Sequence, residues 1–288
     1  MFWLDWRELE KHNDWGVRDK DDATAALWNE GADRWEQRSS EELDFAKKQV
    51  DSLRISPGDT VIDVCCGTGP LTINLCKRAA FVTAFDFNEG MLDYVRRKAA
   101  QNNIANIAYL QGNFNTIAPG KDFTPADIAV TRHSPAQGNI LKFSRFAKKY
   151  CYSLSLVYRK DDDFPMPGRN GGNGGFWCRS AKEKDNFSER PDGRKYGLNV
   201  TFNLLYESGA NPELFYIEEK KLITGNDCET LAKKYFPSRQ TPEILEYVKE
   251  RASKCEEGFS LERSQTMAVM GWDPREIDWD YLERENII

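Results

Sequence analysis

The stretch VIDVCCGTGPL, Val61 to Leu71, is followed by FVTAFD, Phe81 to Asp86, whose closing carboxylate falls 23 residues after Asp63. An apolar strand over Thr60–Val64 that runs into Gly67-Thr68-Gly69 predicts a tight turn. The missing side chains there let a ligand lie against the backbone where a helix, expected over Pro70–Ala79, begins. Pro70 suits the first turn of such a helix. A second strand ending in Asp86 puts a carboxylate where it can accept hydrogen bonds from both hydroxyls of a ribose lying across the strand tips. The spacing is that of a βαβ unit built to cradle a nucleoside.

Which nucleoside follows from what is missing. A dinucleotide fingerprint, G-x-G-x-x-G, needs a third glycine at position 72, and the residue there is Thr72. Instead Asp63 lies inside the strand, four residues before Gly67, where its carboxylate can face a cationic amino acid moiety directly or through water. This favours S-adenosylmethionine over NAD.

Asp63 to Gly69 resembles motif I of the class I S-adenosylmethionine-dependent methyltransferases, and AFDFNEGML, Ala84 to Leu92, resembles the segment that follows it. The paired Cys65-Cys66 is most similar to the quinone C-methyltransferases. Cys65 stands where the usual D-x-G-x-G-x-G has its first glycine, so two glycines remain. The resemblance extends over roughly residues 24 to 158 and implies methyl transfer from S-adenosyl-L-methionine, with Asp63, Cys65, Gly67, Thr68, Gly69, Asp86, Phe87 and Met91 around the cofactor. LQGNF, Leu110 to Phe114, stands where the family contacts adenine. It carries that role to Asn113, whose amide offers donors and an acceptor, and to Phe114, for which plain core packing is the other reading. WNEGADRW, Trp28 to Trp35, resembles the amino-terminal helix that closes over the cofactor and implies a contact from Trp35.

The periodicity of the chain agrees. Further strands are expected at Ile107–Gln111, Ala126–Thr131 and Tyr152–Tyr158, with helices over Glu89–Asn102 and Gly138–Lys149. Alternating strands and helices predict an α/β, Rossmann-like, doubly wound parallel sheet, with ligands at the carboxyl ends of the strands, where Gly67, Asp86, Asn113 and Arg132 gather. A helix over Leu198–Ser208, a strand over Leu214–Leu222, two helices between Asp227 and Ser253 and a strand over Gln265–Trp272 complete an expected seven-stranded sheet with an antiparallel edge. Residues 1–56 read as an amino-terminal helical cap, with helices over Ala23–Arg38 and Glu41–Leu53. Residues 57–288 read as the methyltransferase domain, with a polar, glycine-rich flexible insertion at 160–196. The insertion is either a surface loop or a lid carrying Phe176 and Trp177. Five of the eight tryptophans, at 3, 6, 15, 28 and 35, fall in the first 35 residues; they serve either the packing of the cap or an aromatic cover over the sulfonium.

Methyl transfer from an activated sulfonium mainly demands alignment of nucleophile, methyl carbon and sulfur. An acceptor that must lose a proton needs a base, and His133, at the tip of the fourth strand, is the candidate catalytic residue. A loop histidine bonded to backbone is the alternative. Arg132 reads as a partner for a carboxylate of cofactor or substrate, or as a solvated arginine. The RHSP run, Arg132 to Pro135, lacks the N-P-P-Y type motif of amino-group methyltransferases. A net charge of −6 from 40 basic and 46 acidic residues leaves no electrostatic footprint for nucleic acid. Seven cysteines, none in C-x₂-C spacing, and two histidines, His12 and His133, indicate neither a metal site nor a disulfide framework. Without an apolar run of membrane-spanning length, a soluble cytoplasmic protein acting on a small-molecule methyl acceptor is expected. A regulatory protein that binds S-adenosylmethionine without transfer and an NAD-dependent oxidoreductase are the alternatives.

Overall fold

The structure, a computed structural model, describes residues 43–156, 197–235 and 242–284, together with positions 6, 32, 33, 35, 36 and 39. Helix α1 (Leu43–Asp51) precedes β1 (Thr60–Val64), the one-turn α2 (Thr72–Leu75), β2 (Phe81–Asp86), α3 (Glu89–Gln101), β3 (Ile107–Gln111) and β4 (Ala126–Arg132). A 3₁₀ turn (Pro135–Gly138), α4 (Ile140–Ser144), β5 (Ala147–Leu156), α5 (Gly197–Glu207) and β6 (Glu213–Gly225) come next. The described chain ends with α6 (Cys228–Tyr235), α7 (Pro242–Arg251), β7 (Ser253–Cys255), β8 (Gly258–Trp272) and α8 (Trp279–Arg284).

The strands form one sheet in the order β3-β2-β1-β4-β5-β8-β6, with the short β7 paired to β8. β1 to β5 are mutually parallel. β8 runs antiparallel to both of its neighbours, β5 and β6. The doubly wound α/β architecture is as expected, and β6 and β8 form the expected antiparallel hairpin at the edge. Among the described residues the sheet has eight strands, not the expected seven.

Successive residues of a strand point to opposite faces, and both faces of the central strands are covered, which explains why β1, β2 and β4 are largely apolar. Val61, Val82, Ile128 and Val130 pack with Phe45 and Val50 of α1 and Leu75 of α2. Ile62, Val64, Phe85 and Ala129 pack on the other face with Ile140 and Phe143 of α4, Leu204 of α5 and Leu282 of α8. α1, placed within the amino-terminal cap by sequence, thus shares the core of the sheet. Most of the rest of that cap, and the insertion at 160–196 with Phe176 and Trp177, lie outside the described residues.

Two helices differ from expectation. The helix after the glycine turn contracts from Pro70–Ala79 to the four residues of α2, beyond which the chain continues in turns whose Lys77 and Arg78 N–H groups donate three residues back, to the Asn74 and Leu75 carbonyls. The helix expected over Gly138–Lys149 is split. Asn139 caps α4 by accepting the Lys142 N–H, and Ala147 already opens β5, five residues before the expected start of that strand. Lys148 and Lys149, at the end of the expected helix, sit on an exposed strand end. Lys149 there pairs with Asp59 at 3.0 Å and Asp127 at 3.2 Å. β6 and β8 extend beyond the expected ranges into a hairpin whose far end carries α6 and α7 on a separate apolar cluster of Leu231, Ala232, Ile244 and Val248. No helix among the described residues is long and apolar enough to cross a membrane.

Candidate cofactor and active site

The carboxyl tips of the central strands are tied together by backbone atoms. The Cys66 N–H donates to the Phe85 carbonyl at 3.0 Å and the Gly112 N–H to the Asp86 carbonyl at 3.0 Å. The Thr131 hydroxyl donates to the Val64 carbonyl at 3.0 Å. Between β1 and α2 the chain makes its glycine turn, with Gly67 at φ +57° and Gly69 at φ +79°, closed by the Gly69 N–H donating to the Cys66 carbonyl at 3.1 Å. The two glycines serve different ends. A Cβ on Gly67 would meet nothing within 4 Å, so its backbone faces open space, whereas a Cβ on Gly69 would come within 2.9 Å of a Val95 methyl on α3. Cys65 holds φ 58°, a left-handed conformation costing about 1–2 kcal/mol in a residue with a side chain. The turn therefore keeps its glycine-type backbone where the side chain is not glycine.

Asp86 is the centre of this cradle. Its Oδ2 accepts the Gly67 N–H at 2.8 Å and its Oδ1 the Asn88 N–H at 2.9 Å, so the end of β2 grips the glycine turn. Burial pushes the carboxyl pKa up, and the N–H groups of Asn88, Gly67 and Phe87 hold it back. Each carboxylate oxygen keeps acceptor capacity for a ligand hydroxyl. Asn88 then caps α3 by accepting the Met91 N–H at 3.0 Å. Met91 is buried beneath this cap and Phe87 is half-buried at its start.

Asp63 lies deeper. The Thr72 hydroxyl donates to its Oδ2 at 2.6 Å. Burial raises its pKa to about 7, Thr72 opposes the rise, Asp86 adds to it and Arg132 counters it. Two buried carboxyl groups with raised affinity for protons, side by side under a glycine turn, mark a ligand site better than a structural ion pair does. The Thr68 hydroxyl in that turn is buried and has no hydrogen-bond partner among the described residues. An open glycine backbone, a carboxylate at the end of β2 and a buried hydroxyl awaiting a partner fit the nucleoside and amino acid portions of S-adenosylmethionine.

Of the other residues singled out by sequence, Asn113 follows β3 and spends its Oδ1 on the Asn115 N–H at 2.9 Å, so the amide's donor end is what it offers a ligand. Phe114 is 3% exposed and stacks on Phe146 with ring centroids 5.5 Å apart, which is the core-packing reading. Arg132 ends β4, half-buried and within electrostatic reach of Asp63. His133 follows at φ 47°, its N–H donating to the Leu154 carbonyl at 3.2 Å. Trp35 is half-buried. Its neighbours Asp33 and Glu36 bond Tyr94 and Lys98 of α3. Sequence reasoning missed Thr72, noted only as the absent third glycine, although a hydroxyl nine residues after a strand acid was the visible signal. It also missed Asn88, whose position three residues before Met91 is an N-cap signature.

The described geometry agrees with comparisons to known proteins. A family model described as a methyltransferase domain matches residues 61–139. The chain is 30% identical over 84 residues to a probable cobalt-precorrin-6B C(15)-methyltransferase (decarboxylating) of Methanocaldococcus jannaschii, covering 29% of this chain and 46% of that protein. It is 41% identical over 63 residues to a demethylmenaquinone methyltransferase of Lactobacillus johnsonii, covering 21% of this chain and 26% of that protein. A precorrin-6y C5,15-methyltransferase structure from Geobacter metallireducens superposes with a TM-score of 0.46 at 12% identity, over 80% of this chain and 88% of that one. The chain spans less than half the length of these two curated relatives. Through its glycine turn, its Asp86 and the segment they organise, the chain is similar over residues 61–139 to the methyltransferase domain.

Proposed function

We propose that this protein transfers a methyl group from S-adenosylmethionine to a small-molecule acceptor. The observation that carries the proposal is the Asp86 carboxylate, buried at the end of β2 and bonded to the Gly67 N–H, with acceptor capacity left for a ribose. The cofactor, when bound, supplies a sulfonium-activated methyl group. Asp86 holds the ribose hydroxyls, Gly67 admits the ligand to the backbone, Thr68 offers its hydroxyl, and Asn113 donates from its amide to the adenine edge. Asp63, with Arg132 beside it, supplies charge for the amino acid end. Phe87 and Met91 flank the start of α3, and Cys65, Gly69 and Phe114 shape the walls. Trp35 covers the site from the amino-terminal segment. His133 takes a proton from an acceptor that must lose one.

The small-molecule class rests on the acidic net charge of −6 and on the absence of an N-P-P-Y type motif after β4. The relatives named above, which act on a corrinoid precursor and on demethylmenaquinone by their names, are consistent with an organic metabolite. Calorimetric titration with S-adenosylmethionine, S-adenosylhomocysteine and NAD tests the proposal. Saturable micromolar binding of the first two, lost in Asp86→Ala, supports it. Binding of NAD alone, or of none of the three, overturns it. Because Cys65 replaces a motif glycine, a second reading is a binding protein without transfer; formation of S-adenosylhomocysteine in the presence of an acceptor library decides against it.

A further inference from the structure

Lys98 of α3 makes two contacts that the cofactor site as described does not require. Its ammonium donates to the Thr68 carbonyl at 2.9 Å and pairs with Glu36 Oε2 at 2.5 Å. The two side chains are only 12% and 21% exposed, so the pair is less screened than a surface ion pair. The peptide between Thr68 and Gly69 is consequently held at both ends, its carbonyl by Lys98 and its N–H by the Cys66 carbonyl. Rotating this peptide breaks both bonds at once. One turn earlier on the same face of α3, the Tyr94 hydroxyl bonds the Asp33 carboxylate. Tyr94 and Lys98 are four residues apart on α3, which places them on one helix face. Among the described residues, Asp33 and Glu36 of the amino-terminal segment make polar contacts to α3, and Lys98 continues from that dock into the glycine turn.

We infer that Lys98 is a positioning residue that couples docking of the segment around residues 32–36 to the shape of the Gly67-Thr68-Gly69 turn. The inference rests on the reading of that turn as the S-adenosylmethionine site. A lysine suits the role because its ammonium carries three donors and can serve a carbonyl and a carboxylate together. With the segment docked, Glu36 keeps the ammonium against Thr68 and the turn is set for ligand. With the segment away, Lys98 loses its partner and the turn loses a fixed donor.

The test uses the full chain, S-adenosylhomocysteine as calorimetric probe and hydrogen exchange without ligand. Lys98→Met should weaken the probe about tenfold, as expected for loss of a bond from a charged donor, and should speed exchange at the Gly69 amide and at residues 32–36. Lys98→Arg should recover most of the affinity. The exchanged pair, Lys98→Glu with Glu36→Lys, should restore slow exchange at 32–36 but neither probe affinity nor protection at Gly69, because a carboxylate has nothing to donate to Thr68. A purely structural ion pair would be rescued by that exchange in every respect. Wild-type affinity and wild-type exchange at Gly69 in Lys98→Met overturn the inference. Failure of the wild-type protein to bind the probe overturns the site reading instead, and exchange at Gly69 in the variants then still decides the coupling.

Discussion

At the scale of single residues, the buried carboxyl of Asp63 sets a pH dependence with an unusual sign. Below about pH 4 it is neutral folded and unfolded, and its burial carries no charge penalty. Between the ordinary value of 3.8 and the folded value of about 7, the unfolded chain ionises while the folded one stays protonated, so stability falls as pH rises. Above about pH 7 the penalty is complete, on the order of 4 kcal/mol at most. Asp63→Asn keeps an acceptor for Thr72 and removes the charge. Its melting temperature should fall less than that of the wild type between pH 4 and 8, and parallel curves for the two would refute the assignment. The glycines offer a second comparison. Gly67→Ala meets only backbone strain and should cost about 1–2 kcal/mol in denaturant melts, while Gly69→Ala adds the clash with Val95 and should cost more. Equal losses would mean α3 yields freely. These residues were legible in the sequence because turn geometry, strand position and charge each demand particular side chains. Lys98 was not, because its partners are a carboxylate 62 residues away and a backbone carbonyl that any residue supplies.

At the scale of elements, β1 and β3 were readable to the residue and α3 to within one residue of its end, since short apolar runs and an amphipathic helix burying Met91, Leu92, Val95 and Ala99 carry strong periodic signals. The region from 138 to 149 misled because short α4 and the first turns of β5 present lysines that mimic a helical surface. The β6–β8 hairpin was read too short for a related reason. Its outer half leaves the covered part of the sheet, so stretches such as Glu218–Lys221 and Glu262–Gln265 are polar. Its α6–α7 cluster is separate from the main cores, which predicts divided stability. Leu231→Ala, at a fully buried position, should cost roughly 2–5 kcal/mol locally. It should speed hydrogen exchange in α6, α7 and the hairpin tip while leaving exchange in β1, β2 and β4 and the affinity for S-adenosylhomocysteine unchanged. Loss of affinity would show that the outer unit is coupled to the cradle.

At the scale of the whole molecule, the central strands are covered from both sides, and β8 contributes to both apolar cores, with Met270 and Trp272 in one and Met267 and Val269 in the other. Trp272, fully buried at the end of β8, donates from its indole N–H to the Ser144 hydroxyl of α4 at 2.9 Å. Trp272→Phe should leave the fold intact and cost about 1–3 kcal/mol, from the lost indole bond and ring packing, since the Ser144 hydroxyl keeps its donation to the Ile140 carbonyl; denaturant melts with near-ultraviolet dichroism will show whether the loss stays within that range. A chain ending before β8 should fail more severely, expressing as aggregate, because β5 and β6 would each present a bare edge. The same wedge has a consequence for biosynthesis. β8 seats itself between β5, which leaves the ribosome long before it, and β6, which among the described residues has no other neighbour in the sheet. The five parallel strands can assemble as they emerge, with the cofactor cradle already among them, but β6 must wait unpaired for a strand not yet translated. For that interval the nascent chain carries exposed edges, and its demand for chaperone protection is greatest just before synthesis of β8 is complete.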